Sequence, residues 1–353
     1  MIISNKQVKR ILKLAAGVRG THIYVSESGL AIRNYKTGTR EDHGMIDLGT
    51  VCVGKMEGDT VKFRFPFVRE FLKNCTGPLS LSLRGVALDL SDGFQETSVA
   101  GEVDSYCSPL NPEADFEVLD KEALFRALVY ASTEQVCRGP LCAVKMEDGY
   151  FVSTDGKRLL QTKCETSRQS DTLLPSFGIL ALKKAKAQTI SYSETAGHVI
   201  YRADWDLEEP VYLSYINIGA GYPSWREVFP KGQACATLKL KTEDLVEALA
   251  RQEKVAPFVF HMGKDFSLSM NNGEKIPCIM HEGSRKHSLL VNAGMETTVE
   301  LMSSHIRDLV SMYPKETFDL KISFDVGTYW AIYTPTVWEV RGDSILAMPI
   351  IED

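Results

Sequence analysis

The sequence predicts an α+β chain of three similar domains, each made of two units of one helix and several short strands. Three observations carry this. The length, 353 residues, is that of two or three domains. Six amphipathic helical segments recur with centres roughly 55 to 65 residues apart, a period that marks repeated supersecondary units. Alternating apolar runs and turn dipeptides fill the intervals, about four strands per helix.

The helices are read from apolar spacing and end signals. Residues 5–16 place Val8, Ile11, Leu12 and Ala15 on one face. Residues 66–75 open on Pro66, suited to a first turn, and carry Phe67, Phe71 and Leu72. Residues 120–131 have Asp120 as cap and Leu124, Ala127, Leu128 and Ala131 as stripe. Residues 176–187 follow Pro175 and align Ile179, Leu180, Leu182 and Ala185. Residues 242–252 begin on Thr242 and carry Leu245, Val246 and Leu249. Residues 303–313 carry Ile306, Leu309, Val310 and Tyr313, and Pro314 stops them.

Strands read from Leu79-Ser80-Leu81-Ser82-Leu83, Tyr150-Phe151-Val152-Ser153 and Phe258-Val259-Phe260-His261-Met262. Ser91-Asp92-Gly93 and Asn272-Gly273 are turns. Polar, Pro-bearing links at 107–113 and 230–233 set the expected domains as 1–112, 113–232 and 233–353.

Composition excludes several classes. Apolar residues make up 44% and charged residues 24%, so packed cores are expected and wholesale disorder is not. The eight cysteines include no C-x-x-C pair, which leaves zinc and thioredoxin-type sites without their spacing and reduced thiols as the expectation. No metal or cofactor is expected. Residues 1–6 lack a signal-peptide layout and no apolar run approaches the roughly 20 residues needed to span a bilayer, so the chain is expected in the cytoplasm and off membranes. Phosphate-binding, dinucleotide-binding and nucleophile-elbow motifs are missing, and His281-Glu282 lacks the second histidine of a zinc protease. No catalytic residues are assigned, and an enzyme with dispersed catalytic groups ranks last.

The formal net charge is −6, which by itself argues against nucleic acid. Its distribution argues the other way. Across the six helical segments basic residues outnumber acidic ones thirteen to seven, so the remainder of the chain is strongly acidic. The first and fourth segments carry no acid at all. Helices facing a common interior would line it with cations that attract phosphate without reading bases.

The most informative segment is Thr154-Asp155-Gly156-Lys157-Arg158-Leu159-Leu160. Asp-Gly reverses a strand pair through positive φ, and two cations and two leucines follow at once. Upstream lies Arg138-Gly139-Pro140-Leu141; downstream lie Tyr222-Pro223-Ser224-Trp225 and a terminal Met348-Pro349-Ile350. In this order and spacing the chain resembles the bacterial sliding clamp, the beta subunit of the replicative DNA polymerase. The middle third carries the sharpest motifs.

The resemblance implies a ring with helices inside and antiparallel sheets outside, closed by head-to-tail pairing of two copies. It implies a non-enzymatic processivity factor that encircles double-stranded DNA without sequence specificity. Expected partners are the replicative polymerase, a clamp loader and repair proteins carrying short clamp-binding motifs. Lys9, Lys13, Arg19, Lys73, Arg126 and Lys184 are the expected DNA contacts. Leu141, Thr154, Gly156, Leu159, Pro223, Val228, Met348, Pro349 and Ile350 are expected to line a peptide groove, with Lys157 and Arg158 at its polar edge. The alternative is a monomeric peptide-binding adaptor on the same fold. The chain departs from the family's pattern at Phe177, at Met302 and His305, at Gln252-Glu253-Lys254, and in its acidic end Glu352-Asp353.

Overall fold

In the computed structural model all six helices form where their apolar stripes place them: α1 (Asn5–Gly17), α2 (Phe65–Asn74), α3 (Lys121–Ala127), α4 (Ser176–Ala185), α5 (Thr242–Arg251) and α6 (Ser303–Met312). The structure describes residues 1–18, 20–27, 29–33, 49–54, 56, 60–104, 114–132, 139–165, 171–195, 197–206, 209–216, 221–231, 236–251, 258–262, 267–270, 275–276, 279–280, 297–301, 303–322 and 336–347. The Asn272-Gly273 turn and most of both predicted links lie outside these. The chain divides into two compact units, residues 1–150 with 164–221 and residues 151–163 with 222–353.

In the first unit, Ser4 caps α1 by accepting a hydrogen bond from the Gln7 N–H at 3.1 Å, and Asp120 caps α3 through the amides of Glu122 and Ala123. Helix α3 runs on as a 3-10 turn over Leu128–Tyr130, which accounts for the longer predicted span. Val8, Ile11, Leu14 and Ala15 of α1 are buried. Phe65, Val68 and Leu72 form the buried face of α2. Phe67, expected on that face, is 64% exposed: the helix starts at Phe65, and the stripe follows that residue instead.

Nine strands form one antiparallel sheet in the spatial order 117–118, 189–195, 198–204, 211–216, 49–54, 29–33, 22–25, 61–64 and 102–103. The pairing of Val211–Ile216 with Gly49–Gly54, Val211 opposite Val53 and Tyr215 opposite Gly49, joins the two halves of the unit. Residues of the first two expected domains therefore share one sheet. Helices α1 and α4 pack against each other. Gly178 lets α4 lie close to Tyr201 and Tyr215, because a Cβ there would stand 2.6 and 2.7 Å from their rings. A second sheet orders strands 2–3, 79–84, 87–91 and 96–100, the last being an edge among the described strands. Its Ser91-Asp92-Gly93 turn forms with Gly93 at φ +85°. Amide hydrogen bonds from Thr76, Gln95 and Phe94 hold the Asp92 carboxyl far below the usual range.

In the second unit, strands 150–154, 158–163, 343–347, 336–340, 317–322, 236–241 and 279–280 lie side by side. A smaller sheet orders 275–276, 267–270, 258–262 and 297–301. Phe318 packs edge-on against both Tyr313 and Trp338, and all three are buried. Asp343, 3% exposed, accepts hydrogen bonds from the Thr162 hydroxyl and the Tyr313 phenol, each at 2.6 Å. The Thr242 hydroxyl sits 2.8 Å from the Tyr313 carbonyl and 3.0 Å from that of Glu316, tying the start of α5 to the end of α6.

Four of the eight cysteines, Cys52, Cys75, Cys142 and Cys164, are described, and all are buried and reduced. No described helix is long and apolar enough to cross a membrane.

Two substitutions test this packing. Asp343→Ala leaves two buried hydroxyls without their shared acceptor and should destabilise the chain by about 2–4 kcal/mol. Gly178→Ala forces a methyl into two buried rings and should cost about 1–3 kcal/mol. Urea unfolding followed by tryptophan fluorescence should show a lowered midpoint in each case. An unchanged midpoint for Asp343→Ala would show that the three-residue network adds nothing.

Candidate functional site

The Asp155-Gly156 turn joins strands 150–154 and 158–163, with Gly156 at φ +89°, as its sequence requires. Its shape is fixed from within. The Thr154 hydroxyl donates to the Arg158 carbonyl at 2.7 Å and accepts from the Gly156 N–H at 3.0 Å. Asp155 Oδ1 accepts from the amides of Lys157 and Arg158. Leu159 is buried, while Gly156 and Lys157 are exposed.

Arg158 ties this turn to α6. Its Nε donates to Asp155 Oδ2 at 2.8 Å and its guanidinium also pairs with Asp308 Oδ2. Burial opposes ionisation of Asp155, but the Arg158 hydrogen bond and the two turn amides prevail and hold its carboxyl below the usual range. His305, one helical turn before Asp308, is half-buried, and its Nδ1 is buried with no hydrogen-bond partner. Burial first, and then the charge of Arg158, pushes the His305 ring below its ordinary pKa.

Tyr222 packs on the same hairpin, its hydroxyl 3.4 Å from the Val152 carbonyl, and burial pushes its phenol up. The 3-10 turn Trp225–Val228 follows. Trp225 anchors it, buried under the Arg226 guanidinium at 4.3 Å and edge-on to Phe229, so that Pro223 and Val228 stay exposed. The third side is the 343–347 strand, whose Ala347 lies opposite Arg158 and whose Leu346 lies opposite Leu159.

Thr154, Gly156, Lys157, Arg158, Leu159, Pro223 and Val228 are thus all carried by the second unit. Leu141 belongs to the first, in the 3-10 turn Gly139–Cys142, where its carbonyl accepts from the Ser132 N–H. Met348, Pro349 and Ile350 lie outside the described residues, immediately after Ala347. The sequence reading missed the Arg158–Asp308 pair. Asp308 lies three residues after His305 on one face of a helix, but that spacing carries no pointer to Arg158.

Five of the six predicted DNA contacts fall on helices of the first unit. Lys9 and Lys13 on α1 and Lys184 on α4 are exposed. Lys73 is exposed but pairs with Glu70 at 2.6 Å. Arg126 is half-buried, and Arg19 lies outside the described residues. The number of helical cations overstates the charge available to a ligand. Arg10 stacks on Trp205 at 4.7 Å, Lys183 lies over Phe125 at 5.5 Å, and Lys121 donates to the Gln188 carbonyl.

Among the described residues no three His, Cys, Asp or Glu side chains converge as a metal site requires. No family model matches the chain, and no curated protein matches it. Solved structures do. The DNA polymerase III beta subunit of Thermotoga maritima aligns at a TM-score of 0.69 and 14% identity over 100% of this chain and 99% of its own. The DNA polymerase sliding clamp of Bacillus subtilis aligns at 0.69 and 15% over the same shares. The Helicobacter pylori beta clamp bound to a DNA ligase peptide aligns at 0.67 and 11% over 99% of each chain. Across its whole length this chain has the α+β fold of the DNA polymerase III beta subunit, the bacterial sliding clamp, in a form far diverged in sequence.

Proposed function

We infer that the chain is a DNA polymerase processivity factor of the cytoplasm, non-enzymatic, acting as a ring around duplex DNA and as a docking platform for replication and repair proteins. The observation that carries this reading is the second unit's corner: a latched Asp-Gly turn, an exposed Pro223–Val228 segment and a histidine-bearing helix stand around the end of the 343–347 strand. Such a corner offers apolar anchors with a few polar groups that fix direction, as short-peptide recognition needs. A neighbour of the same fold was solved with a DNA ligase peptide bound. Three domains, 1–112, 113–232 and 233–353, belong to this reading, as do the replicative polymerase and a clamp loader as partners.

A ring needs two copies joined head to tail, a heterologous contact that closes if the rotation closes. Strand 96–100, an exposed edge among the described strands, supports this, since an unpaired edge is a ready template for a second chain. Light scattering at micromolar concentration should give twice the chain mass. A monomer at every concentration would favour the adaptor reading.

Duplex binding should be indifferent to sequence and steep in salt. Changing Lys9, Lys13 and Lys184 together to Glu should reduce affinity alike on unrelated duplexes and lower the log–log salt slope by about 0.9 for each phosphate that is no longer neutralised. Lys73→Glu alone should matter less, because Glu70 already holds that ammonium. An unchanged slope in the triple variant would remove α1 and α4 from the DNA path.

For the groove, Leu159→Ala and removal of residues 348–353 should each weaken a bound peptide by on the order of 2 kcal/mol, about thirtyfold. Fluorescence anisotropy on variants confirmed as folded reads this directly. Equal affinities would place the partners elsewhere.

A further inference from the structure

Four basic side chains gather on one face of the nine-stranded sheet. Ile23 and Ile32 share an apolar space with Val8 and Ile11 of α1 and with Val68 and Leu72 of α2. Side chains alternate along a strand, so His22 and Arg33 stand on the face turned away from those helices. His22 lies directly opposite Arg33 on one neighbouring strand and directly opposite Arg64 on the other. Beyond Arg33 the same row continues through Thr50, Ser214 and Ile200, and His198 stands two residues before Ile200 on the same face. Thr50 and Ser214 are small and buried, which leaves a low floor between Arg33 and His198. Arg64 is exposed and the other three are half-buried, so a small ligand can reach all four.

The charges agree with this placement. After burial, Lys62 and Arg64 push His22 below its ordinary pKa, and Arg33 does the same to His198. Glu102 and Asp104 oppose the shift at His22, but both pair with Lys62, at 3.0 and 3.2 Å. Among the described residues neither Arg33 nor Arg64 makes an ion pair with an acid. Like charges set opposite one another across a ladder are destabilising. An acidic chain that gives Lys62 two carboxylates leaves the two arginines beside it with none.

We propose that this face is a binding site for a phosphate group carrying two negative charges, held between the guanidiniums of Arg33 and Arg64 with the rings of His22 and His198 beside it. Guanidinium forks take phosphate oxygens two at a time, and a dianion offsets both arginines where a carboxylate offsets one. The Thr21 hydroxyl, 3.0 Å from His22 Nδ1, fixes the orientation of that ring. The site lies on the opposite face of the sheet from α1 and α2, and it depends on neither the duplex reading nor the groove reading. Linkage gives it a pH signature. His22 faces Lys62, Arg64, Glu102 and Asp104, with Arg33 across the ladder; His198 faces Arg33, with Thr195 and Ile216 across the ladder, neither of which changes charge near pH 7. A bound dianion favours the imidazolium and raises both histidine pKa values above those of the free protein. The complex therefore binds more protons than the free protein. Affinity rises as pH falls through that window, by up to about tenfold per pH unit for each histidine.

The test is calorimetric titration of the full chain at constant ionic strength, with inorganic phosphate and with a nucleoside 5′-monophosphate as ligands at pH 7.5. Wild type should bind both. Equal affinities would show that the phosphate alone is read; tighter binding of the nucleotide would show that the site takes a phosphate ester of a larger molecule. Arg33→Gln and Arg64→Gln should each weaken binding by about tenfold or more. Arg33→Lys should recover only part of that loss, because an ammonium lacks the fork. Lys163→Gln removes the same charge from an exposed position in the second unit and should bind as wild type does. Sulfate, which stays a dianion from pH 8 to pH 5.5, isolates the imidazoles: its affinity should climb on the acid side in wild type and stay flatter in the His22→Gln, His198→Gln double variant. Circular dichroism confirms the fold of each protein at each pH. No phosphate binding by wild type would overturn the proposal. So would wild-type affinity in both Arg33→Gln and Arg64→Gln, or an equal loss in Lys163→Gln, which would reduce the effect to net charge. Identical sulfate profiles in wild type and the double variant would remove the histidines from the site.

Discussion

The antiparallel register of residues 158–161 with 344–347 governs the candidate site. Arg158 faces Ala347 and Leu159 faces Leu346, so one ladder aligns the latched turn with the strand that leads into Met348. A slip of one residue would turn Leu159 outward and point Arg158 into the core. Asp343 guards against that slip. Its buried carboxylate takes hydrogen bonds from Thr162 on one neighbouring strand and from Tyr313 after α6, so ladder and helix are held by the same group. The Arg158–Asp308 pair then makes a second tie between turn and helix.

In the first unit the corresponding constraint is the pairing of 211–216 with 49–54. It makes one sheet of nine strands, and α1 and α4 pack together in the same unit. The approach of α4 to the sheet depends on a missing side chain, Gly178 above the rings of Tyr201 and Tyr215. It also explains why cations on these helices serve two purposes. Some, such as Lys9 and Lys184, project into solvent; others, such as Arg10 on Trp205, hold helix and sheet together through their apolar stems and ring faces.

Much of this was legible in the sequence, for a physical reason. Helix positions follow from local spacing and caps, and Ser4 and Asp120 make the capping contacts their types suggest, whereas the Thr242 hydroxyl donates instead to the carbonyls of Tyr313 and Glu316. The Asp155-Gly156 turn was equally local. What stayed hidden was which partner a long-range contact selects. Nothing near Arg158 in sequence points to Asp308, 150 residues away, and nothing near Thr162 points to Asp343. Phe67 shows the limit of periodicity, because Phe65, Val68 and Leu72 form a competing stripe that takes the buried face and leaves an aromatic in water. The charge tally of the helices was correct as arithmetic and too generous as chemistry, since ion pairs and ring stacking consume several of the cations.

The hairpin at 150–163 has a consequence for how the molecule is made. It is synthesised well before residues 222–353, yet it belongs by its contacts to the unit that contains them. Thr162 and Asp343 are 181 positions apart. On the ribosome, residues up to 221 can complete the first unit while the 158–163 strand still lacks one neighbour. That strand waits, half-paired, until strand 343–347 emerges. A product that stops short of residue 343 therefore carries the most recognisable motif of the protein but not the corner that gives it meaning. The candidate site is complete only once residues 343–347 have been made, and a shorter product presents the turn without its neighbouring strand.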